Sequence, residues 1–271
     1  MRCWFKIKLL ILCGGMLSSV TQVSAETIKV AVASNFYHTL QQLLGDLDCS
    51  SKAEAIAQSD CDFVLSSGAT GTLFSQITHG APFDIFFAAD VTRPKKLEQM
   101  ALTQFRQTYT RGKLVFWSTE PNMQTVSSLQ NYKGKLVIAN EKLAPFGKAA
   151  MEVLATTGLM TTFSKRLLRA SNINQAFQFV DTGNANVAFL SESQMIQAQQ
   201  AMQPRKYQNY QVVEPKFYMP IEQQVVILKK QRSVNENDRL RKIVEYIASP
   251  QVQKKLANLG YQPITNIQGA G

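Results

Sequence analysis

Two short stretches of the sequence could hold a small anion without any charged side chain. Ser34-Asn35 follows the apolar run Ile28-Lys29-Val30-Ala31-Val32-Ala33 and precedes a helical pattern with Leu40, Leu43 and Leu44 on one side. Ser66-Ser67-Gly68-Ala69-Thr70-Gly71 follows Asp62-Phe63-Val64-Leu65 and leads into a helix through Leu73, Phe74 and Ile77. Ligands of open α/β sheets sit beyond the carboxyl ends of strands. A helix starting there points unpaired N–H groups and the positive end of its dipole at an anion. In the second stretch two glycines permit close backbone approach, and three hydroxyls stand around them. From Ser34-Asn35 alone, capping of the helix is the plainer reading. A Ser/Gly-rich turn is by itself a loop as often as a site. Two such junctions in consecutive units make an anion site an equal contender.

Other chemistries find little support. The glycine-rich turn lacks the Gly-Lys-Ser/Thr ending of a nucleotide-binding loop and the spacing of a dinucleotide-binding turn. There is no Gly-x-Ser-x-Gly elbow, and two histidines, His38 and His79, are too few for a convincing nucleophile–base pair. Asp84 and Asp90 flank one strand, but capping and surface roles explain them more simply than a catalytic carboxylate pair. Trp117 and the phenylalanines fall within strand patterns and read as core. No alternation of basic and aromatic residues suggests nucleic-acid binding.

The elements that must position the two junctions alternate between strand and helix, which predicts an α/β fold with largely parallel sheets. Phe83-Asp84-Ile85-Phe86-Phe87-Ala88 is a third strand, before a helix starting near Pro94. Strands are then expected at 113–117, 135–139, 186–190 and 224–228, and helices at 147–157, 174–182, 237–247 and 251–259. Gly158 and Gly260 stand where helices should stop. The pattern divides into residues 26–110 and 221–271 as one lobe and 111–220 as a second.

Residues 1–25 read as an export signal: Arg2, Lys6 and Lys8, an apolar stretch from Ile7 to Val20, and small residues at Val23-Ser24-Ala25. Gly14, Gly15, Ser18 and Ser19 interrupt a run already short for a membrane span. Cleavage near Ala25 would remove three basic residues and lower the formal net charge from +10 to +7. That charge favours an anionic ligand only by long-range attraction, since the lysines and arginines are scattered. Of four cysteines, Cys49 and Cys61 would remain, and in an oxidising compartment a disulfide between them is expected. No spacing suits a zinc site.

At these junctions the chain resembles the periplasmic molybdate-binding proteins of bacterial ABC transporters, the ModA type, from about Ile28 to Pro263. The likeness is carried by Val32-Ala33-Ser34-Asn35-Phe36, by Ser66-Ser67-Gly68-Ala69-Thr70-Gly71, and above all by Gly80-Ala81-Pro82-Phe83-Asp84-Ile85-Phe86-Phe87-Ala88-Ala89-Asp90. Gly112-Lys113-Leu114-Val115, Ala144-Pro145-Phe146-Gly147, Pro220-Ile221-Glu222-Gln223-Gln224 and the segment from Ser249-Pro250 to Gly260-Tyr261 follow in the family's order.

The resemblance implies a two-lobed periplasmic-binding-protein fold, each lobe a mixed, mostly parallel sheet flanked by helices. The ligand lies in the interlobe cleft, held by neutral donors. Carried over by motif, Ser34, Asn35 and Thr70 would contact the oxyanion, with Phe146 and Ile173 acting through backbone N–H groups. Ser191 stands where some relatives place a tyrosine hydroxyl, and residues 48–60 are longer than usual. The function implied is capture of molybdate, and tungstate with it, for an ABC permease of the inner membrane. The protein would be a periplasmic monomer with no enzymatic activity, no cofactor, no direct metal ligands and no nucleic-acid partner. A same-fold binder of sulfate or phosphate is the alternative. An enzyme on this scaffold is disfavoured by the lack of a nucleophile or cofactor lysine, and ferric-ion binding by the lack of an adjacent tyrosine pair.

Overall fold

The computed structural model describes residues 27–47, 62–201 and 204–264. The export signal at 1–25, Cys49, Cys61 and the 48–60 segment lie outside them. Along the chain come β1 (Ile28–Ala33), α1 (Tyr37–Gly45), β2 (Phe63–Gly68), α2 (Thr70–Thr78), β3 (Ile85–Phe87), α3 (Thr92–Gln99) and β4 (Thr103–Gly112). Next are β5 (Leu114–Ser118), β6 (Leu136–Ala139), α4 (Pro145–Thr156), α5 (Met160–Phe163), β7 (Leu167–Ala170) and α6 (Ile173–Asp181). β8 (Val187–Ser191), α7 (Glu192–Ala201), β9 (Tyr210–Val212), β10 (Ile221–Leu228), α8 (Val234–Ala248), α9 (Pro250–Asn258) and β11 (Tyr261–Gln262) complete the order.

These strands form two sheets, β11-β4-β10-β3-β1-β2 and β7-β6-β8-β5-β9. Four of the six strands in the first, β1 to β4, run the same way, as do four of the five in the second, all but β5. The chain leaves the first sheet at Lys113 and returns to it between β9 and β10. Each sheet with its helices is a lobe, here lobe I and lobe II.

Lobe I shows how the sequence pattern makes a three-layer stack. Successive strand residues face opposite sides, so Val30 and Val32 pack with Ile85, Phe87, Val225 and Ile227 beneath α1, α8 and α9. Ala31, Phe86, Val226 and Leu228 face the other way, toward Leu73, Ile77 and Leu97 of α2 and α3. Every second residue being apolar on both faces is what a sheet sandwiched between helices requires. Burial of each large apolar side chain stabilises the fold by about 1.5–3 kcal/mol. Lobe II buries a larger core centred on Phe116, Trp117, Ile138, Phe163 and Phe189, with Trp117 stacked on Phe177 at 5.6 Å. Helix ends follow local chemistry. Ser233 and Glu236 form a reciprocal capping box at α8, and Ser249 caps α9 with Pro250 in its first turn.

Asp84 ties lobe I together. Its carboxylate accepts the Lys29 backbone N–H at 2.8 Å, and Lys230 and Arg232 each at 2.7 Å. It therefore joins β1, the start of β3 and the segment after β10. Burial pushes its pKa up, but the bonds from Arg232, Lys230 and the Lys29 N–H outweigh that, and the net shift is downward. A lowered carboxylate pKa contributes stability at neutral pH that is lost as pH falls through the folded-state value. Asp84→Asn should cost about 1.5–3 kcal/mol near neutrality. In urea melts the gap to the natural protein should then close in acid, below the ordinary carboxylate range; a gap independent of pH would refute this role.

Candidate functional site

Ser34, Asn35, Thr70, Phe146 and Ile173 come together around one small cavity between the lobes. Ala33, Gly68, Ala69, Ala89, Ala144 and Pro145 complete its wall. The cavity is small, with about 10 Å³ open to the centre of a water molecule, close to what a single water needs. No charged side chain lines it.

The secondary structure explains why these residues converge. α1, α2 and α4 all begin at the cavity, and their N-cap residues are Phe36, Ala69 and Ala144, none of which supplies a side-chain cap. The first N–H groups of a helix have no partner within it. Without a side-chain cap, these first-turn N–H groups are left to other acceptors, as Gly71 N–H is to the Leu143 carbonyl. α6 differs: Asn172 caps it by accepting from Gln175 N–H at 3.0 Å, and Ile173 is its first residue. Gly147 brings α4 close to β6, because a Cβ there would lie 1.9 Å from the Ala139 carbonyl oxygen.

The side chains are set up as donors. Ser34 is 4% exposed and its Oγ has no hydrogen-bond partner. A buried hydroxyl left unpaired is costly, and in a native fold it calls for a reason. Thr70 Oγ1 accepts the Ala89 backbone N–H at 3.1 Å. That bond occupies a lone pair, and the hydroxyl hydrogen stays available. Asn35 donates from Nδ2 to Gln223 Oε1 at 3.1 Å, and the same oxygen accepts Tyr109 OH at 2.9 Å. The Asn35 carbonyl accepts Tyr261 OH at 2.8 Å. Phe36 is wedged between Phe87, Tyr109 and Tyr261, with ring centroids 4.7–5.7 Å apart, which fixes the turn carrying Asn35. Burial pushes the Tyr261 hydroxyl up to about 12 and Tyr109 well above its ordinary value, so both remain neutral donors.

Sequence reasoning missed Gln223, Tyr109 and Tyr261, which hold Asn35 from behind, and the Ala89 N–H that orients Thr70. Gln223 lies in the Pro220–Gln224 run and Tyr261 at the end of the Ser249–Tyr261 segment, both of which carry the resemblance; nothing in the spacing of Tyr109 marks it. Ser191 is not part of the cavity wall. It is buried, its Oγ 3.0 Å from Ser193 Oγ and 3.1 Å from Gln194 Oε1. Asp84 and Asp90 do not act as a pair: Asp84 is the tie described above, and Asp90 accepts the Arg93 N–H at 2.9 Å and pairs with the Arg93 guanidinium. Among the described residues no group of three or more His, Cys, Asp and Glu could hold a metal ion, and no helix is long and apolar enough to cross a membrane.

Known proteins share this architecture. Residues 28–262 match the family model of bacterial extracellular solute-binding proteins. The chain is 35% identical to the molybdate-binding protein ModA of Azotobacter vinelandii over 252 residues, 91% of this chain and 93% of that one. It is 31% identical to the ModA of Rhodobacter capsulatus, over 88% of this chain and 89% of that one. The solved periplasmic molybdate-binding protein of Azotobacter vinelandii superposes with a TM-score of 0.74 at 30% identity, over 88% of this chain and all of that one. The sulfate-binding protein SubI of Mycobacterium tuberculosis shares the fold alone, with a TM-score of 0.66 at 13% identity, over 88% and 87% of the two chains. A family model spanning β1 to β11 and two relatives above 30% identity place the chain among the bacterial extracellular solute-binding proteins, to which it belongs together with the ModA proteins.

Proposed function

We propose that this protein captures molybdate, and tungstate with it, in the periplasm and delivers it to an ABC permease of the inner membrane as a binding protein rather than an enzyme. The observation that carries the reading is the neutral, donor-rich cavity, with the unpartnered Ser34 hydroxyl at its wall. The ModA relatives supply the identity of the anion.

The physics suits a fully ionised oxyanion. Removing a dianion from water is expensive, and only bonds to the charge itself can offset that. Charge-assisted hydrogen bonds are roughly twice as strong as neutral ones, and each helix start adds about 0.3–1 kcal/mol, up to 2 when partly buried. Ser34, Asn35 and Thr70 approach from lobe I, and Phe146 and Ile173 from lobe II. A singly protonated oxyanion would bring a hydrogen that wants an acceptor, and no carboxylate lines the wall to provide one.

Binding is coupled to closure of the lobes. Gly71 N–H, one residue beyond Thr70, donates to the Leu143 carbonyl of lobe II at 2.8 Å. Arg93 Nη2 donates to the neighbouring Lys142 carbonyl, also at 2.8 Å. A Cβ at Gly71 would lie 3.0 Å from Leu143 Cα and 3.1 Å from its oxygen, so glycine is what allows the two backbones to meet. Release follows when these contacts part.

Four outcomes test the reading. In a thermal-shift panel of molybdate, tungstate, sulfate, phosphate and chromate, molybdate and tungstate should raise the melting temperature. At a thousandfold excess over Kd the gain is about 4 kcal/mol, or roughly 8–16 °C for a chain of this size. A shift with sulfate or phosphate alone would replace molybdate as the ligand. Ser34→Ala should weaken molybdate binding by about 10–100-fold in calorimetry, the loss of one charge-assisted bond. The ligand-free melting temperature should hold or rise, because the hydroxyl it removes is unpaired. Thr70→Ala should lower both, since it also strands the Ala89 N–H; affinity unchanged from the natural protein in both variants would dismiss the site. Gly71→Ala should keep the ligand-bound protein more open than the natural one, read as a larger radius of gyration by X-ray scattering.

A further inference from the structure

Helix α7 reaches across to lobe I through Ser193 and Gln197. Gln197 Nε2 donates to Thr39 Oγ1 at 2.9 Å, and Thr39 Oγ1 lies 3.1 Å from Tyr261 OH. Tyr261 in turn donates to the Asn35 carbonyl at 2.8 Å. Ser193 Oγ approaches the same carbonyl at 3.4 Å. Thr39, Tyr261, Asn35 and Ser193 are all at most 3% exposed.

Proton direction orders this ring. Thr39 receives the Gln197 N–H, so its own hydrogen goes to Tyr261, whose hydrogen goes to Asn35. The Asn35 carbonyl thus receives Tyr261 from its own lobe and Ser193 from the other. Behind Ser193 the network continues within lobe II. Ser191 Oγ stands 3.0 Å from Ser193 Oγ, and Ser191 N–H donates to Gln194 Oε1 at 3.2 Å. Gln194 Nε2 donates to the Ile173 carbonyl at 3.0 Å. A hydroxyl has one hydrogen, and Ser191 Oγ lies 3.0 Å from Ser193 Oγ and 3.1 Å from Gln194 Oε1, so Ser191 donates to Ser193 when Ser193 gives its own hydrogen to Asn35, and to Gln194 when Ser193 turns to Ser191. The network therefore links two cavity residues, Asn35 of lobe I and Ile173 of lobe II, and its Ser193–Asn35 and Gln197–Thr39 contacts cross from one lobe to the other.

We propose that Ser193 and Gln197 of α7 are positioning residues that hold Asn35 in place upon closure and so set how long the ligand stays, not how fast it arrives. Neither side chain lines the cavity. The proposal rests on the oxyanion reading above and adds to it the residues that govern release.

Stopped-flow binding of molybdate to the full mature chain tests it with Ser193→Ala, Gln197→Ala and the double variant. Two net hydrogen bonds of about 1 kcal/mol each predict a release rate raised by about 10–30-fold in the double variant. The association rate and the ligand-free melting temperature should match the natural protein, because contacts that cross between the lobes would part when the lobes open. Gln199→Ala, which loses a bond to the Tyr207 carbonyl within lobe II, should leave the release rate unchanged. An unchanged release rate in the double variant overturns the proposal. A ligand-free melting temperature that falls in step with affinity overturns it too, by reducing the pair to fold support. Failure of the natural protein to bind molybdate overturns the ligand reading and this inference with it, and is distinguished by the unmutated control.

Discussion

The governing constraint is that the cavity holds no counter-charge. An anion placed there must be met by neutral hydrogens from every side, and a protein has few ways to aim several at one point. Helix starts are the most economical, because their N–H groups are already parallel and already unpaired. Once that solution is adopted, much of the architecture follows. Strands must end at a common place so that helices can begin there, and the residues before those helices must decline to cap them. Phe36, Ala69 and Ala144 do so. One sheet cannot surround a point, so a second lobe has to supply the opposite wall.

Support behind the wall is as specific as the wall itself. Asn35 is gripped by Gln223 at its side chain and by Tyr261 at its carbonyl, and the aromatic packing of Phe36 keeps the turn from shifting. Thr70 is oriented by a backbone group, Ala89 N–H, which no substitution at Ala89 other than proline would remove. Burial holds Tyr109 and Tyr261 neutral, so the supporting network adds no charge that would compete with the ligand's.

Much of this was legible in the sequence because the governing signals are local. The apolar runs at 28–33, 113–117 and 135–139 match β1, β5 and β6 to within a residue, since strands buried on both faces have little alternative composition. The two junctions were visible because Ser, Thr and Gly at the end of an apolar run are unusual there. β4 was not legible: Thr-Gln-Phe-Arg-Gln-Thr-Tyr-Thr-Arg-Gly is mostly polar and becomes a strand through its long pairing with β10. β9 and β11, of three and two residues, exist for the same non-local reason. α7 shows no strong apolar stripe, because Ser193, Gln194 and Gln197 face other protein through hydrogen bonds. Polar residues that bury themselves against polar partners look like surface until the partner is seen.

The route between the sheets carries a mechanical consequence. A single residue, Lys113, separates β4 from β5, and the returning strand pairs Ile221 with Gly112 beside it. Val213 N–H also bonds the Leu114 carbonyl, and Leu114 N–H the Tyr218 hydroxyl. Two crossings laced side by side act as one strip rather than as two separate strings, so any movement of one lobe against the other has to be taken up in that strip.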